Sequence, residues 1–138
     1  MMMKTADLEK ILPHRKPMLL LDDAGIDESG NGVGIYNVRG DEFFLQGHFP
    51  GNPIVPGVIL CEMMAQTCAV LLSTDAQGKT PYYTSLDKVR FRNPVKPGDQ
   101  VKFLCEITKS KPPFIFAKGK GYVDGKLCIQ GEFSFAIV

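Results

Sequence analysis

One stretch constrains this chain more than any other. On the run Val58–Leu72 every residue is apolar or small except Glu62, Gln66 and Thr67, and Glu62 is the only charge between Val55 and Leu72. The run predicts a helix from about Pro56 to Ser73, with proline at the first helical position, where its missing N–H costs nothing. A helix apolar on nearly all sides must be covered on most of them. The run is too short to cross a bilayer and carries Glu62 and Gln66, so the cover has to be protein.

The rest of the sequence supplies strands. After "DAQGKTP" the pattern turns to alternation, and "YYTSLDKVRFRNPV", "DQVKFLCEIT", "FIFAKGKGYV" and "KLCIQGEFSFAIV" read as four strands. "KPGD" punctuates the first pair, and "VDGK" marks a two-residue hairpin between the last two. Earlier, "MLLLDDAGI" and "GVGIYNVR" read as strands joined by the turn "DESGNG". "TADLEKIL" reads as a short amphipathic helix begun by Thr5 or Asp7 and stopped by Pro13. The expected class is α+β: one long central helix wrapped by a strongly curved sheet of about six strands, mostly an antiparallel meander.

A chain of 138 residues holds one core, so residues 1–138 are treated as a single domain. The formal net charge of +1 excludes a strongly basic nucleic-acid binder. The four cysteines (Cys61, Cys68, Cys105, Cys128) show no C-x-x-C spacing and no accompanying histidine pair. They offer no metal site and read as buried free thiols in a reducing compartment. The start "MMMKTADLEKILPHRKP" lacks the apolar core of a signal peptide, so the expected location is cytoplasmic.

The loop before the helix carries the chemistry. Pro50, Pro53 and Pro56 recur at every third residue, with Gly51 and Gly57 among them. Such a loop is stiff and would hold His48 in one place. Val55 has no side chain able to cap the helix, which leaves the N–H groups of Gly57 and Val58 seeking an acceptor. An uncapped helix start favours negative charge, formal or developing. Glu62 is costly on so apolar a helix unless it is paired or working, and Gln66 lies one turn further along the same face. Taken singly, His48 fits a turn hydrogen bond, and Glu62 fits an arginine partner or a register device at a subunit boundary. Together they supply a base, an acid and an oxyanion stabiliser, as proton abstraction beside a carbonyl requires. His14, in "LPHRKP", lies between a helix stop and a strand start and is assigned a structural part.

"GHFPGNPIVPGVILCEMMAQ" closely resembles the signature of the short bacterial β-hydroxyacyl-acyl carrier protein dehydratases of the FabZ type. "LPHRKPMLLLD", "LDKVRFRNPVKPGD" and "VDGKLCIQGEF" fall in the expected order around it, so the likeness spans nearly the whole chain. The resemblance implies the hot-dog fold and a homodimer whose active sites lie at the interface; whether dimers assemble further into hexamers stays open. It makes His48 and Glu62 the catalytic pair, contributed by opposite subunits. It also places Gly57 where a helix-end N–H binds the thioester carbonyl, and Gln66 where a glutamine supports the carboxylate.

The implied reaction removes water from a (3R)-hydroxyacyl thioester carried on the phosphopantetheine of an acyl carrier protein, with no cofactor and no metal. Glutamate at position 62 fits this type, whereas the related dehydratase-isomerases typically carry aspartate there. Lys16, Met63 and the absence of tryptophan depart from the family's pattern and bear on tunnel shape and acyl-chain preference. Lys88, Arg90 and Arg92 are expected on one strand face, with Val89 and Phe91 on the other. They suit docking of an acidic carrier or, equally, a solvated outer face. The alternatives are a dehydratase-isomerase or a thioester hydrolase of the same fold, or a non-catalytic acyl-chain binder.

Overall fold

The computed structural model describes residues 2–72 and 79–138. The elements are β1 (Met2–Lys4), α1 (Thr5–Ile11), β2 (Asp23–Ile26), β3 (Gly32–Asn37), a single 3₁₀ turn (Phe43–Leu45), α2 (Gly57–Leu71), β4 (Pro81–Phe91), β5 (Gln100–Lys111), β6 (Phe114–Val123) and β7 (Lys126–Ile137). One antiparallel sheet runs in the order β1-β2-β3-β5-β6-β7-β4. β5, β6 and β7 form the expected meander. β4 crosses to the outer side of β7, which leaves it as the sheet's edge. The strand beyond the expected six is β1, three residues that pair with β2.

The helix packs as its composition demands. Leu60, Cys61, Met63, Met64, Cys68 and Val70 are buried against the sheet. Thr67 satisfies its hydroxyl by donating to Met63 O at 2.9 Å. β3 comes close because Gly34 has no side chain: a Cβ there would overlap Thr67 Oγ1. One stripe of α2 escapes this cover. Val58 is 72% exposed, and Glu62 and Ala65, at the next steps along that face, are partly open. The helix begins at Gly57, so Pro56 is its N-cap (φ −57°, ψ 138°) and not its first residue. Ser73, the expected last residue, lies outside the described residues.

Two strand readings need correction. The stretch "MLLLD" is not strand, because a side chain replaces the ladder: Gln66 Oε1 accepts the Leu20 N–H at 2.9 Å and Gln66 Nε2 donates to Met18 O at 2.8 Å. In β4, Asp87 faces Glu132 but Arg90 faces Gln130, so Lys88 and Val89 together oppose Gly131. This bulge turns Lys88 to φ 52°. Lys88 reaches Glu132 Oε2 at 3.3 Å, so it shares the outer face with Arg90 by way of the bulge and not by simple alternation. Arg92 lies past the strand's end, its N–H bonded to Cys128 O at 2.7 Å. The "VDGK" hairpin forms as expected, with Asp124 and Gly125 both at positive φ (49° and 78°).

The four cysteines are free and buried. No helix among the described residues is long and apolar enough to cross a membrane.

Candidate active site

The loop that carries His48 is tied down by its own backbone. His48 N–H donates to Leu45 O at 3.1 Å, and Ile54 N–H donates to His48 O at 2.8 Å. Val55 N–H reaches Val95 O at 2.8 Å. The imidazole stacks on Phe49 with centroids 4.3 Å apart, and Nδ1 lies 2.9 Å from Ile54 O. A carbonyl can only accept, so Nδ1 carries the ring proton and Nε2 presents its lone pair. That is the tautomer a general base needs.

A buried carboxylate that the sequence reading did not single out holds the approach to this loop. Glu42, 6% exposed, accepts from the N–H of Arg39 (2.9 Å) and of Gly40 (2.7 Å) and from the Tyr36 hydroxyl (2.8 Å). Burial alone would push its carboxyl up; the two backbone donors and Tyr36 outweigh it and hold Glu42 below the usual carboxylate range. Burial and the Glu42 contact push the Tyr36 phenol upward. The only hint in the sequence is an acidic residue just before the apolar pair Phe43–Phe44.

The start of α2 is open as expected. Pro56 makes no side-chain cap, and its carbonyl accepts the N–H of Ile59 (3.0 Å) and Leu60 (3.2 Å). Among the described residues nothing accepts from the N–H of Gly57 or Val58. Phe91 of β4 packs over Gly57, where an added Cβ would come within 2.6 Å of its ring.

One turn on, Glu62 Oε2 accepts from Gln66 Nε2 at 3.0 Å. Gln66 is fully buried, and its other hydrogen bonds to Met18 and Leu20 fix its amide. His14 Nε2 lies 3.4 Å from the same Glu62 oxygen, a contact that sequence reading did not foresee; the two residues are 48 positions apart, and no spacing joins them. A cavity of about 40 Å³ opens beside them, walled by Ala65, Ala69, Pro81, Tyr83 and Phe135. The Tyr83 hydroxyl donates to Cys61 O. Its own burial, reinforced by the charge of Glu62, pushes that phenol upward, so it stays a neutral donor.

Glu62, Gln66 and His14 therefore meet within one chain. His48 does not join them: no hydrogen bond or ion pair links it to Glu62, and it does not line that cavity. Lys88 and Arg90 lie on the opposite, outer face of the sheet. Among the described residues, no group of three or more His, Cys, Asp or Glu side chains is placed to hold a metal ion.

Comparison with known proteins identifies the family. A 3-hydroxyacyl-[acyl-carrier-protein] dehydratase FabZ of Clostridium beijerinckii is 43% identical over 99% of each chain. One of Caldicellulosiruptor saccharolyticus is 45% identical over 93% of this chain and 94% of its own. Among solved structures, a dehydratase heterocomplex, ApeI:P from Xenorhabdus doucetiae, shares the fold at a TM-score of 0.81, covering 95% of this chain and 90% of that one at 19% identity. Residues 12–132 match the FabA-like domain family. With residues 12–132 matched and relatives similar over nearly the whole chain, the protein belongs to the FabA-like family of hot-dog-fold proteins.

Proposed function

We propose that this chain is a hydro-lyase that converts (3R)-hydroxyacyl-acyl carrier protein to the trans-2-enoyl form, the dehydration step of fatty acid biosynthesis. One domain spanning residues 1–138 carries the activity in the cytoplasm. The observation that carries this reading is the uncapped start of α2, with a Gln66-held carboxylate one turn along, in a chain 43% identical end to end to a FabZ dehydratase.

His48 Nε2 takes the C2 proton of the substrate. Charge then develops on the thioester oxygen, which the N–H groups of Gly57 and Val58 meet at the positive end of the helix. One such preorganised donor is worth about 3–4 kcal/mol in the transition state. Glu62, or a water that it holds, protonates the departing 3-hydroxyl. The C2 proton is acidified by the polarised carbonyl alone, so the reaction needs neither cofactor nor metal.

His48 and Glu62 do not meet within the chain, and the reading therefore draws them from opposite subunits of a homodimer. The free edge of β4 supports this. It carries the exposed apolar side chains Tyr82 (59% exposed), Leu86 (45%) and Phe91 (56%), and Val58 of α2 is uncovered as well; an unpaired strand edge with exposed apolar residues is an invitation to pair with another chain. Lys88, Arg90 and Arg92 form the basic surface that steers the acidic carrier.

Crotonyl thioester is the test substrate. Hydration lowers the enoyl absorbance without freeing thiol. Thiol release instead would make the protein a hydrolase, and an unchanged band would leave it a binder.

A further inference from the structure

Two nitrogens converge on one oxygen of Glu62. Gln66 Nε2 lies 3.0 Å from Oε2 and His14 Nε2 lies 3.4 Å from the same atom. No protein donor meets Oε1 among the described residues. The His14 ring is about four-fifths covered, its side chain 21% exposed. Its other nitrogen, Nδ1, is buried without a partner among the described residues. Among the described residues the acceptor that His14 reaches is therefore Glu62, and the tautomer with its proton on Nε2 is the one that can donate to it.

The segment that carries His14 is itself fixed. The Arg15 guanidinium donates to Leu12 O (2.9 Å) and His14 O (2.7 Å), and Arg15 O accepts from the N–H of Met18 and Leu19. Gln66 then clamps Met18 and Leu20 onto α2. Leu12–Leu20 thus forms a brace that meets the catalytic face of the helix through Gln66 and His14.

We propose that His14 is a positioning residue for Glu62: with Gln66 it occupies Oε2, so that the carboxyl proton rides on Oε1 and is aimed at the departing hydroxyl. The proposal rests on the reading of Glu62 as the acid. A contact of 3.4 Å is long, as catalytic contacts often are before substrate binds. Holding a carboxylate in one orientation acts on turnover more than on affinity.

The test is a set of variants assayed for hydration of crotonyl thioester, with dimer assembly checked for each. His14→Leu should lower kcat about tenfold or more with KM changed by less than about twofold. His14→Gln, whose amide nitrogen reaches the place of the imidazole Nε2, should recover most of that loss; His14→Asn, too short to reach, should not. In a Glu62→Gln background, His14→Leu should cost nothing further, because its route to the reaction is already gone. A kcat for His14→Leu within twofold of wild type overturns the proposal. So does an equal loss in the Glu62→Gln background, or a loss that His14→Gln repairs no better than His14→Asn. If Glu62→Gln alone keeps the wild-type rate, the reading of Glu62 has failed, and that result is separate from the others.

Discussion

Gly57 gives the sharpest test of the oxyanion site, because two substitutions there differ by little more than one N–H. Gly57→Pro removes the donor. The backbone accepts it: position 57 opens the helix, where proline is favoured, and Pro56 already has the extended ψ of 138° that a following proline demands. Gly57→Ala keeps the donor and adds the same Cβ. That Cβ would fall 2.6 Å from Phe91 Cε1, so both variants must displace the ring. Both variants meet this clash equally, so the comparison between them isolates the N–H, and Phe91→Ala in the same background removes the clash. Loss of one preorganised donor costs about 3–4 kcal/mol, or roughly 10²–10³ in kcat. Gly57→Ala should therefore lose no more than about tenfold, and Gly57→Pro roughly a hundredfold or more beyond that. The assay is kcat for crotonyl thioester hydration, with assembly and melting temperature measured alongside. A correctly assembled Gly57→Pro protein within about threefold of Gly57→Ala would refute the use of this N–H.

Three further outcomes are expected. His48→Ala and Glu62→Gln should each be nearly inactive, yet co-refolding equal amounts should restore about a quarter of wild-type activity, since half the dimers are mixed and each then holds one intact site; activity that stays at the single-variant floor would place both residues in one chain's site. Glu42 titrates below its unfolded value, so its stabilising contribution is complete above the ordinary carboxylate range and fades as pH falls through and below it; Glu42→Gln should be less stable at neutral pH by about 2–3 kcal/mol and lose less stability than wild type between neutral pH and about pH 4, and equal losses in the two proteins would contradict this. Arg90→Glu with Arg92→Glu should raise KM for carrier-bound substrate while leaving crotonyl thioester turnover nearly unchanged, and an equal loss on both would end the docking assignment.

Much of the fold is legible because it follows from periodicity. The all-round apolar run of α2 demands cover, the alternating segments supply it, and Asp124–Gly125 turns the last hairpin where the dipeptide says it should. β1 is not legible, because three residues carry too little pattern to read as a strand. "MLLLD" has the pattern of a strand but is not one, because Gln66, far away in sequence, takes the hydrogen bonds that a neighbouring strand would take. The bulge at Lys88 has no local signature, because it is defined only by which residues of β7 stand opposite it.

The site divides in the same way. By itself the sequence determined which groups are available: a histidine on a stiff loop, one carboxylate on a helix that cannot afford idle charge, and an uncapped start that leaves two N–H groups open. These follow from local rules, because proline geometry, capping and the cost of burying charge act over a few residues. Only the tertiary structure decided which oxygen of Glu62 is held, that His14 shares in holding it, that Glu42 ties down the turn after β3, and that His48 stays apart from Glu62 within one chain. Those are contacts between segments distant along the chain. Their geometry depends on how the sheet curls around the helix, and no spacing in the sequence encodes that curl.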